Sequence, residues 1–249
     1  MHRSHTAFLD PSGSGSFGVA EKVFGGAWAT APDPADFSDF VGVDLYAPDA
    51  NVYRRRDGTP YPLARQEGEV AATYEQYAKL ERVLGEYGGQ VASFEWVFSP
   101  RGADARPQPL FDRDTGAVDP QVAAYWREHY DIALRLERLW PALKRDLDGR
   151  IHVIVGDADT FYLDGSARKL KKTLDSLGAK ADIRFLPGRS HFDLYVEGED
   201  HQALAKEIAW EMWEVARSSS PPDSRADPAG VRPTTDELDG AGIDYGDPP

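Results

Sequence analysis

The stretches IHVIVGDAD (151–159) and DIRFLPGRSH (182–191) decide the fold. Ile151 to Val155 is a short β-branched run without polar alternation, the pattern of a strand covered on both faces of a parallel sheet. Asp182 to Leu186 (DIRFL) reads as the next strand. Between them, Leu170, Leu174 and Leu177 recur at spacings of four and three, so a helix over about 165–177 is expected, capped at its start by Asp164. Gly178 is read as its C-terminal left-handed residue. Two strands joined by such a helix imply a crossover and parallel pairing. Leu204, Ile208, Met212 and Trp213 then mark a final amphipathic helix from about 199 or 200 to 216.

Outward from this unit the pattern loosens. Val23 to Thr30 (VFGGAWAT) reads as a third buried strand, in which Gly25 and Gly26 allow close approach of backbone. An insertion over about 31–150 separates it from Ile151. Two helical stretches are expected there: one over 70–87 with Tyr74, Tyr77, Leu80 and Leu84 on one face, the other opened by Asp119-Pro120 and carrying Val122, Trp126, Tyr130 and Leu134. The fold class is therefore α/β: a parallel sheet of about three strands with a large helical insertion. Residues 1–22 form an irregular N-terminal segment and 23–216 the folded unit. From Arg217 onward, Ser, Pro, Gly, Asp and Thr replace large apolar residues, so 217–249 is expected to be a disordered acidic tail.

Composition narrows the function classes. With 249 residues the chain suits one domain with appendages. Its 42 acidic residues exceed its 28 basic ones, a formal charge of −14, and no Lys/Arg cluster forms a phosphate-binding face, so nucleic acid is not an expected partner. The chain has no Cys, which excludes disulfides, zinc thiolates and a cysteine nucleophile. No apolar run approaches the roughly 20 residues of a membrane span, and Met1 to His5 begins no secretory signal. The expectation is a soluble protein with no membrane partner, cytoplasmic as given, although a full-length parent could be secreted.

The chemistry sits beyond the carboxyl ends of the two strands, where ligands gather in open α/β sheets. There the chain offers Asp157 and Asp159 after one strand and His191 after the next. An imidazole titrates near working pH and serves as general base, and a carboxylate fixes its tautomer and stabilises the imidazolium. Other groups lack a ligand pattern. Asp157 to Phe161 begins like a calcium loop but puts Phe161 where an oxygen ligand belongs, and Asp112 to Gly116 is similarly incomplete. His129, His152 and His201 have no second His at ligand spacing, and Arg54 to Arg56 reads as a solvated turn. No metal and no cofactor are expected.

VGDADTFYL (155–163), followed by a helix, a strand and PGRSHFDLY (187–195), resembles the C-terminal third of an α/β-hydrolase of the esterase group that includes enterochelin-esterase-like and feruloyl-esterase-like enzymes. FGGAWATAPDPADFSDF (24–40) and DLYAPDANVYR (44–54) are similar to the strand and loop that follow the nucleophile helix in bacterial members. The resemblance covers about 23–197. It implies Asp159 as the triad acid, with Asp157 as fallback, His191 as the triad histidine, and a small-molecule ester as substrate. It also implies a pocket walled by the insertion, rich in Trp28, Trp96, Phe98, Trp126 and Tyr130; core packing is the competing reading of each.

One part of the family pattern is missing. No G-x-S-x-G elbow occurs, and the nearest approximation is Ser14-Gly15-Ser16-Phe17-Gly18. Between Ser16 and Phe24 too few residues remain for the helix that should follow a nucleophile, so Ser16 is a weak candidate beside the reading of a flexible Gly/Ser stretch. The early strands and the oxyanion loop are also missing. The resulting expectation is a serine esterase that begins late and is inactive alone, prone to self-association through an exposed sheet edge. The alternative is a non-catalytic binding or remnant protein of the same fold.

Overall fold

The computed structural model describes residues 27–32 and 35–218. Three strands, β1 (Ala27–Thr30), β4 (Ile151–Gly156) and β5 (Ala181–Leu186), form one sheet in the order β1-β4-β5. Both pairings are parallel, with Ala27 opposite Ile151 and Ile151 opposite Ala181. The expected parallel sheet is thus present; residues 23–26 of the first expected strand lie outside the described residues. Among the described residues β1 has β4 as its one strand neighbour.

Side chains alternate across β4, as the two-residue period of a strand requires. Ile151 and Val153 pack with Trp140, Leu170 and Leu174, whereas Ile154 packs with Leu194 and Leu204. Helices α4 (Ile132–Leu147) and α5 (Leu163–Ser176) therefore cover one face, and α6 (Ala203–Ser218) the other. Helix α5 closes as expected at Gly178, φ 63°: the Gly178 and Ala179 amides donate to the Asp175 and Leu174 carbonyls, satisfying the helix end. Its start differs from expectation. Asp164 does not cap it; Tyr162, at φ 60°, holds the N-cap position without a side-chain bond, and Asp164 lies in the first turn.

The insertion departs further from the sequence reading. The expected helix over 70–87 is a strand, a helix and a 3₁₀ turn. β2 (Pro62–Gln66) and β3 (Glu69–Thr73) form an antiparallel hairpin. Its two-residue turn, Glu67 at φ 52° and Gly68 at φ 85°, has the left-handed pair that matches strand twist. Helix α1 (Tyr74–Glu81) starts in a capping box: Gln76 N–H donates to Thr73 Oγ1, and Thr73 N–H to Gln76 Oε1. The face is also corrected. Tyr74, Ala78 and Glu81 are buried, while Leu80 and Leu84 are exposed.

Helix α2 (Gly89–Phe98) was not expected at all, and its first amides, Gln90 and Val91, donate to the Glu81 carboxylate. α3 (Pro120–His129) opens at Asp119-Pro120 as expected, but Leu134 belongs to α4. The break is chemical. Buried Asp131 takes the Leu134 and Phe37 amides and the Tyr46 hydroxyl, ending one helix to cap the next. Phe37, Phe40, Phe98 and Trp126 stack edge to face in a core continuous with Val155, Leu163 and Ala167, so the insertion is packed onto the sheet's carboxyl end. None of the described helices is long and apolar enough to cross a membrane.

Candidate active site

The loops after β4 and β5 are joined to each other by backbone. Asp157 N–H donates to the Leu186 carbonyl and Ala158 N–H to that of Arg189, both at 3.1 Å. Gly156 makes this approach sterically feasible, because a Cβ there would lie 2.0 Å from the Arg189 carbonyl oxygen. The Asp157 carboxylate accepts the Gly188 amide at 2.7 Å. Asp157, the fallback acid, is therefore spent on bracing the histidine loop.

Asp159 occupies the other position. Its side chain is fully buried, with Oδ1 accepting the Phe161 amide at 2.8 Å and the Leu163 amide at 3.2 Å. Those donors belong to the opening of α5, so Asp159 supplies the side-chain acceptor that Tyr162 does not. Oδ2 lies 3.0 Å from His191 Nδ1. A carboxylate only accepts, so Nδ1 donates in this contact, and in the neutral form of the ring that tautomer puts the basic lone pair on Nε2. Phe161 and Phe192 meet the imidazole edge to face, 5.0 and 5.7 Å away, which limits the ring's rotation.

His191 borders a cavity of about 270 Å³. Its wall contains Thr30 and Ala31 at the end of β1, Leu63 from the hairpin, Tyr74 and Tyr77 from α1, Phe94 from α2, and Tyr195. The insertion therefore does contribute aromatics, but not those the sequence suggested. Trp28, Trp96, Phe98, Trp126 and Tyr130 are absent from this wall; Phe98 and Trp126 are core, and Trp96 is 41% exposed. Thr30 carries the one aliphatic hydroxyl among the described lining residues, and its Oγ1 lies 2.6 Å from the Tyr195 hydroxyl. Ser16 lies outside the described residues.

A wider depression of about 720 Å³ between α1, α2 and the 109–119 loop offers less chemistry. Most of its charged groups are engaged structurally: Arg82 with Asp114, Arg113 with buried Glu95, and Glu81 on the start of α2. Asp112 is likewise committed to its own turn, accepting the Asp114 and Thr115 amides. Two further histidines, His152 and His129, are placed by ring stacking. His152 stacks on Trp28 at 4.5 Å, and His129 stacks on Tyr125 at 4.0 Å. No cluster of three or more His, Asp or Glu suited to a metal ion occurs among the described residues.

Sequence reasoning missed Thr30, Tyr195 and the aromatic wall, which no local pattern marks. It also missed Arg65, whose side chain reaches into the acid loop from β2. The Glu67-Gly68 turn and the Thr73-x-x-Gln76 capping box would have located that hairpin. Comparisons with protein-family models, with curated proteins and with solved structures found no match.

Proposed function

We propose that this chain holds the acid–base half of a serine-esterase-type site, in a parallel sheet of α/β-hydrolase kind. The supporting observation is the 3.0 Å contact between His191 Nδ1 and a fully buried Asp159 carboxylate beside an aromatic cavity. In this reading His191 Nε2 takes the proton of a seryl hydroxyl as its oxygen attacks the ester carbonyl. The imidazolium, balanced by Asp159, returns that proton to the departing alkoxide, and water then repeats the sequence on the acyl-enzyme.

The cavity favours an uncharged substrate. No Lys, Arg, Asp or Glu lies on its described wall, so a buried ionic group would go unpaired. The chain's charge of −14 further disfavours anionic esters. Ser16 remains the candidate nucleophile. A non-catalytic binding role is the second reading, supported by a wall on which the one aliphatic hydroxyl among the described residues, that of Thr30, is engaged with Tyr195.

The test combines turnover with binding, using the full chain, His191→Ala and Ser16→Ala. Hydrolysis of p-nitrophenyl butyrate is expected at background in all three, because the residual acceleration of about 10³–10⁴ left by a broken triad depends on an oxyanion hole. The uncleaved ester is nevertheless expected to shift the NMR resonances of His191, Phe161 and Leu194. Rapid turnover abolished by both substitutions would establish Ser16 as nucleophile and remove the expectation of inactivity. An ester that neither turns over nor perturbs those resonances would overturn the esterase-type reading.

A further inference from the structure

Arg65 lies on β2, 94 residues before Asp159, yet touches the acid loop along its length. Its Nε donates to the Asp159 carbonyl at 2.9 Å, and Nη2 donates to the Asp157 carbonyl at 3.2 Å and to Asp164 Oδ1 at 2.9 Å. Its backbone amide donates to the Thr160 carbonyl at 2.8 Å, and its guanidinium sits 4.7 Å above the Tyr162 ring. Five residues between 157 and 164 are thus held by one residue of a distant hairpin.

The loop requires such support. Tyr162 is a non-glycine residue in the left-handed region, a conformation that persists only where surrounding contacts over-determine it. The carbonyls of Asp157 and Asp159 also need donors in a half-buried setting. Burial pushes the Asp164 carboxyl above its ordinary range, while Arg65 and Arg168 oppose that shift. The planar guanidinium reaches three acceptors at once, whereas a lysine ammonium on the same strand would concentrate its donors at one point.

We propose that Arg65 is a positioning residue that holds the 157–164 loop so that Asp159 presents Oδ2 to His191 Nδ1. Its importance for turnover rests on the esterase-type reading, but its effect on the histidine can be measured without turnover. The orientation of Asp159 follows from the loop, because Oδ1 is tied to the Phe161 and Leu163 amides within it. Releasing the two carbonyls from Arg65 would let the loop relax at Tyr162 and withdraw Oδ2 from the imidazole. The clamp acts from outside the cavity, as Arg65 does not line it.

The experiment uses the full chain with ¹⁵N-labelled histidine, the His191 ring signals among the six histidines being assigned by their loss in His191→Gln. Wild type is expected to show the Nδ1–H tautomer. Asp159→Asn is the reference for a lost carboxylate and is expected to abolish that signature. Arg65→Gln and Arg65→Lys are both expected to lose it in variants that still melt cooperatively; Lys should not rescue, because charge alone is not what the loop needs. If Arg65→Gln fails to fold, Arg65→Lys decides the matter by the same readout. Retention of the wild-type tautomer in either folded Arg65 variant while Asp159→Asn loses it would overturn the positioning role alone. A wild-type signature in Asp159→Asn would show that the acid–histidine pair itself does not operate, and both readings would fall.

Discussion

Gly156→Ala isolates the contact that brings the acid and histidine loops together. The added methyl would lie 2.0 Å from the Arg189 carbonyl oxygen and 2.6 Å from its carbon, both backbone atoms that cannot rotate aside. The loop must therefore retreat by about 1 Å to reach the 3.0 Å limit of real Cβ contacts. Overpacking of this kind costs about 1–3 kcal/mol, and loss of the Ala158 to Arg189 bond adds about 1, giving roughly 2–4 kcal/mol. For a domain of this size that lowers Tm by roughly 5–15 °C. If the turn from Gly188 to His191 moves as a unit, the Nδ1 to Oδ2 separation grows from 3.0 Å to roughly 4 Å, beyond hydrogen bonding. Thermal unfolding by circular dichroism reads the first effect, and the ¹⁵N tautomer signature of His191 the second. A variant melting within about 2 °C of wild type and keeping the Nδ1–H tautomer would refute the reasoning, since the loops would then not depend on a bare backbone at 156.

Two further outcomes test the scaffold. Gly178→Ala meets nothing within 4 Å, so its cost is only that of placing a side chain at φ 63°, about 1–2 kcal/mol by denaturant unfolding, with the His191 tautomer unchanged. His152 is held below its ordinary imidazole range by burial, opposed by Asp182, whose Oδ2 at 3.8 Å from Nδ1 attracts without hydrogen bonding. The unfolded chain binds the proton more readily, so this contribution is complete above about pH 6.5 and is lost as pH falls from there through the folded value, by at most about 1.4 kcal/mol per pH unit. His152→Phe, which can preserve stacking on Trp28, is expected to lose stability less steeply than wild type in urea titrations between pH 7.5 and 5.5; equal slopes would remove His152 from the acid response.

The parts legible in the sequence were those whose cause is local. Ile151 to Val155 is a strand because a β-branched run ending at Gly suits a covered sheet, and the half-buried Ile183, Phe185 and Leu186, stopped by Pro187, suit the strand beside it. Gly178 ends α5 and Asp119-Pro120 opens α3 for reasons contained within a single turn of chain. The meeting of Asp159 and His191 was also accessible, since parallel neighbours joined by a helix deliver both loops to one edge of the sheet. The hairpin at 62–73 had its own local signals, but the apolar spacing of Tyr74, Tyr77, Leu80 and Leu84 suggested a longer helix whose face the structure does not bury.

Tertiary structure decided the rest. Asp157 and Asp159 stand two residues apart and are chemically alike; they differ because the Gly188 amide takes one and the α5 amides and His191 take the other. The cavity wall draws on β1, the hairpin, α1, α2 and the histidine loop, and Arg65 acts across 94 residues. Hydrogen bonds and packing depend on separation in space, which local periodicity does not encode, so which aromatics became core, which became wall and which arginine holds the acid loop were settled only when the chain folded.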